Sequence, residues 1–506
     1  MAHRAWRAPL VLSLALLAFT ALLRAPSLSL AALDGDESFF SLIAIELLRG
    51  HWPYETLFDH KPVALFMQFA VAIGIGGTDP VVTRMLGLLA VASMGVLVAL
   101  IAYWRCGLGV LEAGLLGAAA ILLCGTFDDY ATRSEQLVNV HVLLGLLLLT
   151  PPRRPHLAQL LAGGAAFALA FHTNYLAGFV LAGFGGGFAL AALARTRYLV
   201  EAARSVLGWG LPALAGFGAM TLLLYLPLFL AGTFSEYIAL QARYVTGYVT
   251  ERPALGAYIF TAAGALAWTV PGVTFALFLA VQRPCEGATD GERRGALRRP
   301  EALLIFGGVL LGSCLAIVAS GHFFRSYQLL AVPAVCLFVA AASVGVGSAL
   351  RRFSAVALVG SFVSVGMLGL LRAADLAIDV LRPGPTPDVT RTLATMLRPH
   401  VEEGDVVYTY CAPLAIQQIL GGRPAAQLGF WYHHDRPELA AAMGTTPGAV
   451  VTEILAARPV AIIYGPLSHC ANAVNHERFA TMIDTAGYRL IGSHEGFRLL
   501  LPPTTP

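Results

Sequence analysis

Eleven apolar runs constrain this 506-residue chain more than any other feature: Pro9–Leu30, Val81–Trp104, Val110–Phe127, Gln136–Thr150, His156–Phe171, Tyr175–Ala194, Val206–Leu230, Tyr258–Val281, Glu301–Ala319, Tyr327–Leu350 and Ser354–Leu371. A hydrocarbon core of about 30 Å is crossed by roughly 20 helical residues. The pattern therefore predicts a polytopic α-helical membrane protein with about eleven spans. Composition agrees, since 57% hydrophobic and 12% charged residues carry more apolar surface than a soluble fold of this length can bury. A net charge of only +3, with arginines spread through short loops, excludes a nucleic-acid-binding arm.

The arginines orient the spans. Arg4 and Arg7 precede the first run, which is too long for a secretory signal and is not followed by a small-residue cleavage site. It reads as a span that starts in the cytoplasm. Arg105, Arg153 with Arg154, Arg195 with Arg197 and Arg204, the arginines from Arg283 to Arg299, and Arg351 with Arg352 then all fall inside. Asp34, Asp36, Glu37, Asp128, Asp129 and Glu135 fall outside, with Arg24 as an exception near the outer end of the first span.

An odd number of spans places everything beyond Arg372 outside. The predicted organisation is a transmembrane domain over 1–380 that includes a first outer loop at 31–79, a proline-rich linker over 381–388, and an extracytoplasmic α/β domain over 389–506. In that last domain Asp405–Tyr410, Pro459–Gly465, Tyr488–Gly492 and Phe497–Pro502 read as strands. Thr390–Leu397, Pro413–Leu420, Pro447–Ala457 and Glu477–Ala486 read as helices.

Seven cysteines show no CxxC spacing and no metal pattern. Cys411 and Cys470 lie in the outer domain, where a disulfide and two separate core thiols are both open. His433 and His434 are adjacent, a poor arrangement for joint metal binding. No metal and no cofactor is assigned.

The first outer loop concentrates the chemistry. It reads DGDESFFSLIAIELLRGHWPYETLFDHKP from Asp34 to Pro62, and Lys61 is the only lysine of the chain. Arginine would serve a purely topological purpose equally well, so a solitary lysine among acidic residues points to a specific use. Phe39 to Leu48 reads as an amphipathic helix, and Pro62–Ile75 as an interfacial helix along the membrane surface. Together they would form a lid at headgroup height. Tyr237, Arg243, Tyr244 and Tyr248 form an aromatic and basic outer loop suited to sugar stacking or to the interface. His172 and Asn174 interrupt apolar runs at an outer edge.

DGDE with GHWPYETLFDHKP, TRSEQ at Thr132–Gln136, GHFFRSYQLLAVPAVCL at Gly321–Leu337 and the outer α/β tail together resemble the GT-C glycosyltransferases, in particular bacterial relatives of protein mannosyltransferases and lipid A aminoarabinose transferases. The resemblance covers nearly the whole chain. It implies transfer of a sugar from a polyprenyl-phosphate carrier to an envelope glycan, lipid or protein acceptor outside a bacterial inner membrane, with membrane lipids as the other partner and no nucleic acid.

The resemblance aligns Asp36 with the family's first-loop catalytic aspartate, which would deprotonate the acceptor hydroxyl, and Glu135 with its second acidic position. Lys61 matches the lysine that pairs with the carrier phosphate. Asp34, Glu37, His60, Arg133, Arg325 and Tyr327 complete the implied substrate-binding set. Relatives often carry His-Tyr before the penultimate span, and Ser326 here replaces that histidine. A flippase of lipid-linked saccharides would instead show paired half-repeats and mid-span charges, neither of which stands out. A non-catalytic GT-C relative would hold Asp36 and Lys61 apart.

Overall fold

The computed structural model describes residues 7–128, 130–150, 155–196, 198–250, 297–321, 324–346, 370–378, 388–470 and 472–503, with isolated positions between 259 and 278 and at 367. The helices of the first half are α1 (Arg7–Arg24), α2 (Gly35–Leu48), α3 (Val63–Gly76), α4 (Pro80–Arg105), α5 (Val110–Phe127), α6 (Ser134–Leu149), α7 (Leu157–Phe171), α8 (Ala177–Thr196), α9 (Leu199–Leu230) and α10 (Phe234–Thr250). They are followed by α11 (Arg299–Ala319), a 3-10 turn at Arg325–Leu330 and α12 (Val332–Ala342). Among the described residues seven helical stretches are long and apolar enough to cross a membrane, and α6 and α7 are shorter apolar helices. The chain is thus a polytopic α-helical integral membrane protein. The runs expected at Tyr258–Val281 and Ser354–Leu371 lie largely outside the described residues.

Two compact units divide the chain. The first comprises 1–26, 87–224 and 253–378, and the second 27–86, 225–252 and 379–506.

In the first unit α8 and α11 lie backbone against backbone. Gly183 and Gly187 on α8 face Gly308 and Gly312 on α11, and a Cβ on any of the four would collide with backbone of the opposite helix. Each pair has the small-xxx-small spacing that lets membrane helices approach closely. Arg24, the exception to the charge pattern, forms a buried ion pair with Asp128 at 2.6 Å and also donates to the Ala131 carbonyl at 3.2 Å. Asp128, which offsets this buried cation, accepts a second bond from Gln136 Nε2 at 2.6 Å.

The second unit joins α2, α3 and α10 to the C-terminal α/β fold. That fold runs α13 (Val389–Leu397), β1 (Val407–Tyr410), α14 (Ala415–Leu420), α15 (Trp431–His434), α16 (Pro437–Ala442), α17 (Pro447–Ala456), β2 (Ala461–Tyr464), α18 (Ala473–Thr485), β3 (Arg489–His494) and β4 (Phe497–Leu501). Sheet order is β1-β2-β4-β3. VYTY and AIIY are buried at every position and pair in parallel, as expected of strands covered on both faces and joined by a helical crossover. The hairpin β3–β4 completes the sheet in antiparallel fashion, leaving β3 at an exposed edge.

Side chains at helix starts fix the boundaries. Asp388 accepts from the backbone of Thr390 and Arg391, Thr446 from Ala449, and Asn472 from Val474 and Asn475. Asp388 also accepts from Ala31 N, whereas the rest of the proline-rich 381–388 stretch lies outside the described residues. Cys411 and Cys470 are joined in a disulfide.

One expectation is corrected here. The helix from Phe39 to Leu48 does not lie as an amphipathic element with one wet face, because α2 is buried continuously from Glu37 to Glu46. Phe39 packs on Phe430 (4.6 Å between ring centroids), and Phe40 packs on Phe66 and Phe69. Its polar residues find partners within the unit: Ser41 Oγ donates to the Glu37 carbonyl, and Glu46 pairs with Arg49 at 2.7 Å.

Candidate active site

The proposed site residues fall into one group in each unit. In the second unit the acidic cluster opens α2. Asp34 is its N-cap, accepting from Asp36 N at 2.9 Å, so its carboxylate has a helix-starting use. Asp36 follows in the first turn and is exposed. Glu37 is buried, both its oxygens sharing the Arg84 Nε–H at 2.6 and 2.8 Å, and also accepts from Thr83. Arg84 continues to the carbonyls of Ser27 and Leu30. Of the three acids, Glu37 therefore anchors the chain entering and leaving the loop, while Asp36 is presented on its surface.

The second landmark is the turn Asp59–His60–Lys61 leading into α3. Asp59 Oδ1 accepts from Lys61 N at 3.0 Å and lies 2.9 Å from His60 Nδ1. Burial pushes the Asp59 carboxyl up, but the neighbouring His60 charge and hydrogen bond, then His433 and Lys61, outweigh it and leave the group at about 2. Lys61 is only 8% exposed. The His60 ring stacks on Tyr244, with centroids 4.9 Å apart and planes 8° from parallel.

Tyr237 and Tyr244 are each 1% exposed and pack on Tyr54 and Phe58. Neither lies free at an interface. They are the core that seats this turn. The side chain of Tyr248 lies outside the described residues.

His433 arrives from α15, and its burial holds the imidazole neutral down to about pH 4. Its Nδ1 is buried without a hydrogen-bond partner. One ligand atom from each of Asp59, His60 and His433 lies within 4.8 Å of the others. An ionised carboxylate and a neutral imidazole are the forms that bind metal, so this donor set could hold a divalent cation. Sequence adjacency hid the arrangement, because the partners of His433 lie in the first loop and not at His434.

In the first unit Arg133 caps α6, its N–H donating to Gln136 Oε1 at 3.1 Å. Glu135 is 2% exposed and accepts from Asn174 Nδ2 at 3.0 Å, while the same amide reaches Ser134 Oγ at 3.2 Å. Asn174 thus holds the Glu135 carboxylate in place. Arg325 donates to the Thr126 carbonyl and lies within electrostatic range of Arg133 and Asp128. Tyr327, by contrast, is 5% exposed within the apolar core.

No protein-family model matches the sequence, and no curated protein matches it. Among solved structures, the crystal structure of ArnT from Cupriavidus metallidurans bound to undecaprenyl phosphate is similar over 98% of this chain and 98% of that one, with TM-score 0.64 and 14% identity. The chain shares the fold of this ArnT structure. The apo structure of the same ArnT aligns over 99% and 98% of the two chains at TM-score 0.44 and 13% identity. The helical bundle and the small sheet domain both belong to this shared fold, since the first match spans nearly the entire chain.

The sequence alone did not single out Tyr54, Asp59, Arg84 or Gln241, and it set His433 aside as a ligand because its neighbour His434 is poorly placed to share a metal. Asp59 carried a signal, as one of three ionisable neighbours in FDHKP. Arg84 carried a weaker one, a charge near the start of an apolar run. Nothing local marks Tyr54 or Gln241, and the partners of His433 are fixed only by the fold.

Proposed function

We propose that this chain is an inverting glycosyltransferase that moves a sugar from a polyprenyl-phosphate carrier to an envelope glycan, lipid or protein on the outer side of a bacterial inner membrane. The observation that carries this reading is the whole-length likeness to a structure solved with undecaprenyl phosphate. Orientation is supported by the one-sided arginine loops and by the disulfide in the C-terminal domain, which suits an oxidising compartment.

In the proposed reaction the acceptor oxygen attacks the anomeric carbon as the Asp36 carboxylate takes its proton. The bond from that carbon to the carrier oxygen breaks, and polyprenyl phosphate leaves with the electron pair. Lys61 offsets its charge. A single displacement inverts the anomeric centre. Asp34 and Glu37 hold Asp36 in place from either side along α2. His60 flanks Lys61, and Tyr327 sets the 3-10 turn that carries Arg325.

Asp36→Asn tests the assignment. Purified and supplied with a polyprenyl-phosphate sugar, the variant is expected to lose transfer by at least about a hundredfold while its melting temperature and donor binding stay near wild type. Transfer at a wild-type rate would remove Asp36 from the base role.

A further inference from the structure

Three hydrogen bonds hold the backbone on either side of His60. Besides the Asp59–Lys61 turn bond, Tyr54 Oη donates to the Lys61 carbonyl at 2.9 Å and Gln241 Nε2 to the Asp59 carbonyl at 3.2 Å. Gln241 Nε2 also lies 3.5 Å from Tyr54 Oη, linking the two donors. Tyr54 is 3% exposed and has φ +84°, a region disfavoured for a side chain with a Cβ. Its own N–H closes a turn on the Leu57 carbonyl at 2.8 Å, and Gln427 Nε2 donates to its carbonyl. A tyrosine persists in such a conformation only where its surroundings over-determine it. Gln241 leaves its own carbonyl oxygen buried without a partner, so its contribution is as a donor.

We propose that Tyr54 and Gln241 are positioning residues that fix the Asp59–Lys61 backbone and thereby aim the Lys61 ammonium at the carrier phosphate. The proposal rests on the assignment of Lys61 to that phosphate. Both act through Lys61. Tyr54 comes from the first loop and Gln241 from α10, one helical turn from both Tyr237 and Tyr244, so α10 braces this turn by hydrogen bond as well as by ring packing. Removing either donor while keeping side-chain volume leaves Lys61 present but loosely aimed.

The test is a double-mutant cycle read by binding of undecaprenyl phosphate in detergent micelles. Tyr54→Phe and, independently, Gln241→Met are expected to weaken binding about three- to tenfold in the wild-type background and to leave it unchanged in a Lys61→Ala background. The loss should appear in the donor KM and not in kcat. Equal losses in both backgrounds, or no loss where Lys61 is present, would overturn the positioning role while leaving the function of Lys61 intact. If Lys61→Ala itself bound undecaprenyl phosphate as tightly as wild type, the phosphate assignment would fail and take this inference with it.

Discussion

At the scale of single residues, the first outer loop separates holding from acting. Glu37 and Arg84 are each at most 3% exposed in their side chains, and removing one partner strands a buried charge. Arg84→Met should therefore destabilise the protein by about 3–5 kcal/mol, read as a fall in melting temperature, and Glu37→Gln with Arg84→Met should recover part of it. His433 sets the acid limb of stability. Its folded-state value is lowered from 6.5 to about 4 by burial, so between those values the unfolded chain takes a proton that the folded chain refuses. Its contribution is complete above pH 6.5 and is lost as pH falls towards 4, at about 1.4 kcal/mol per pH unit. In the presence of EDTA, melting temperature should drop across that window, and His433→Asn should flatten the drop. The acids of DGDE are visible in sequence, but their division of labour is not, because Asp34 and Glu37 are claimed by a cap and by an arginine 47 positions away.

At the scale of elements, the C-terminal strands were legible because VYTY and AIIY are short apolar runs bounded by turn residues. Helix α2 was misjudged in its surroundings, not in its existence. Its few polar side chains suggested a wet face, and only tertiary contacts from Arg84, α3 and Phe430 show that face to be closed. The short helices α15 and α16, absent from the sequence reading, carry WYHH and PELAAA, too brief for a periodic signal. The glycines of α8 and α11 were legible in spacing only. Gly308→Leu should push the helices apart and destabilise the first unit by about 1–3 kcal/mol or more, seen as a lower melting temperature or poor membrane yield, whereas Gly186→Leu, with open space at its Cβ, should be tolerated.

At the scale of the whole molecule, the helical membrane class followed from hydropathy alone. The pairing of Asp59 with His433, 374 positions away, could not, since it exists only when the C-terminal fold meets the first loop within one unit. The disulfide closes 59 residues of that fold, and Cys411→Ser should cost the C-terminal domain about 2–5 kcal/mol, measured as earlier proteolysis of its strands on warming. The account as a whole turns on whether a sugar leaves its lipid. Purified protein in vesicles, given a sugar-labelled polyprenyl phosphate and an envelope acceptor, is predicted to move the label covalently onto the acceptor with inverted anomeric configuration, releasing one polyprenyl phosphate per sugar. Label that crosses the bilayer still attached to its carrier, with no acceptor adduct, would contradict it.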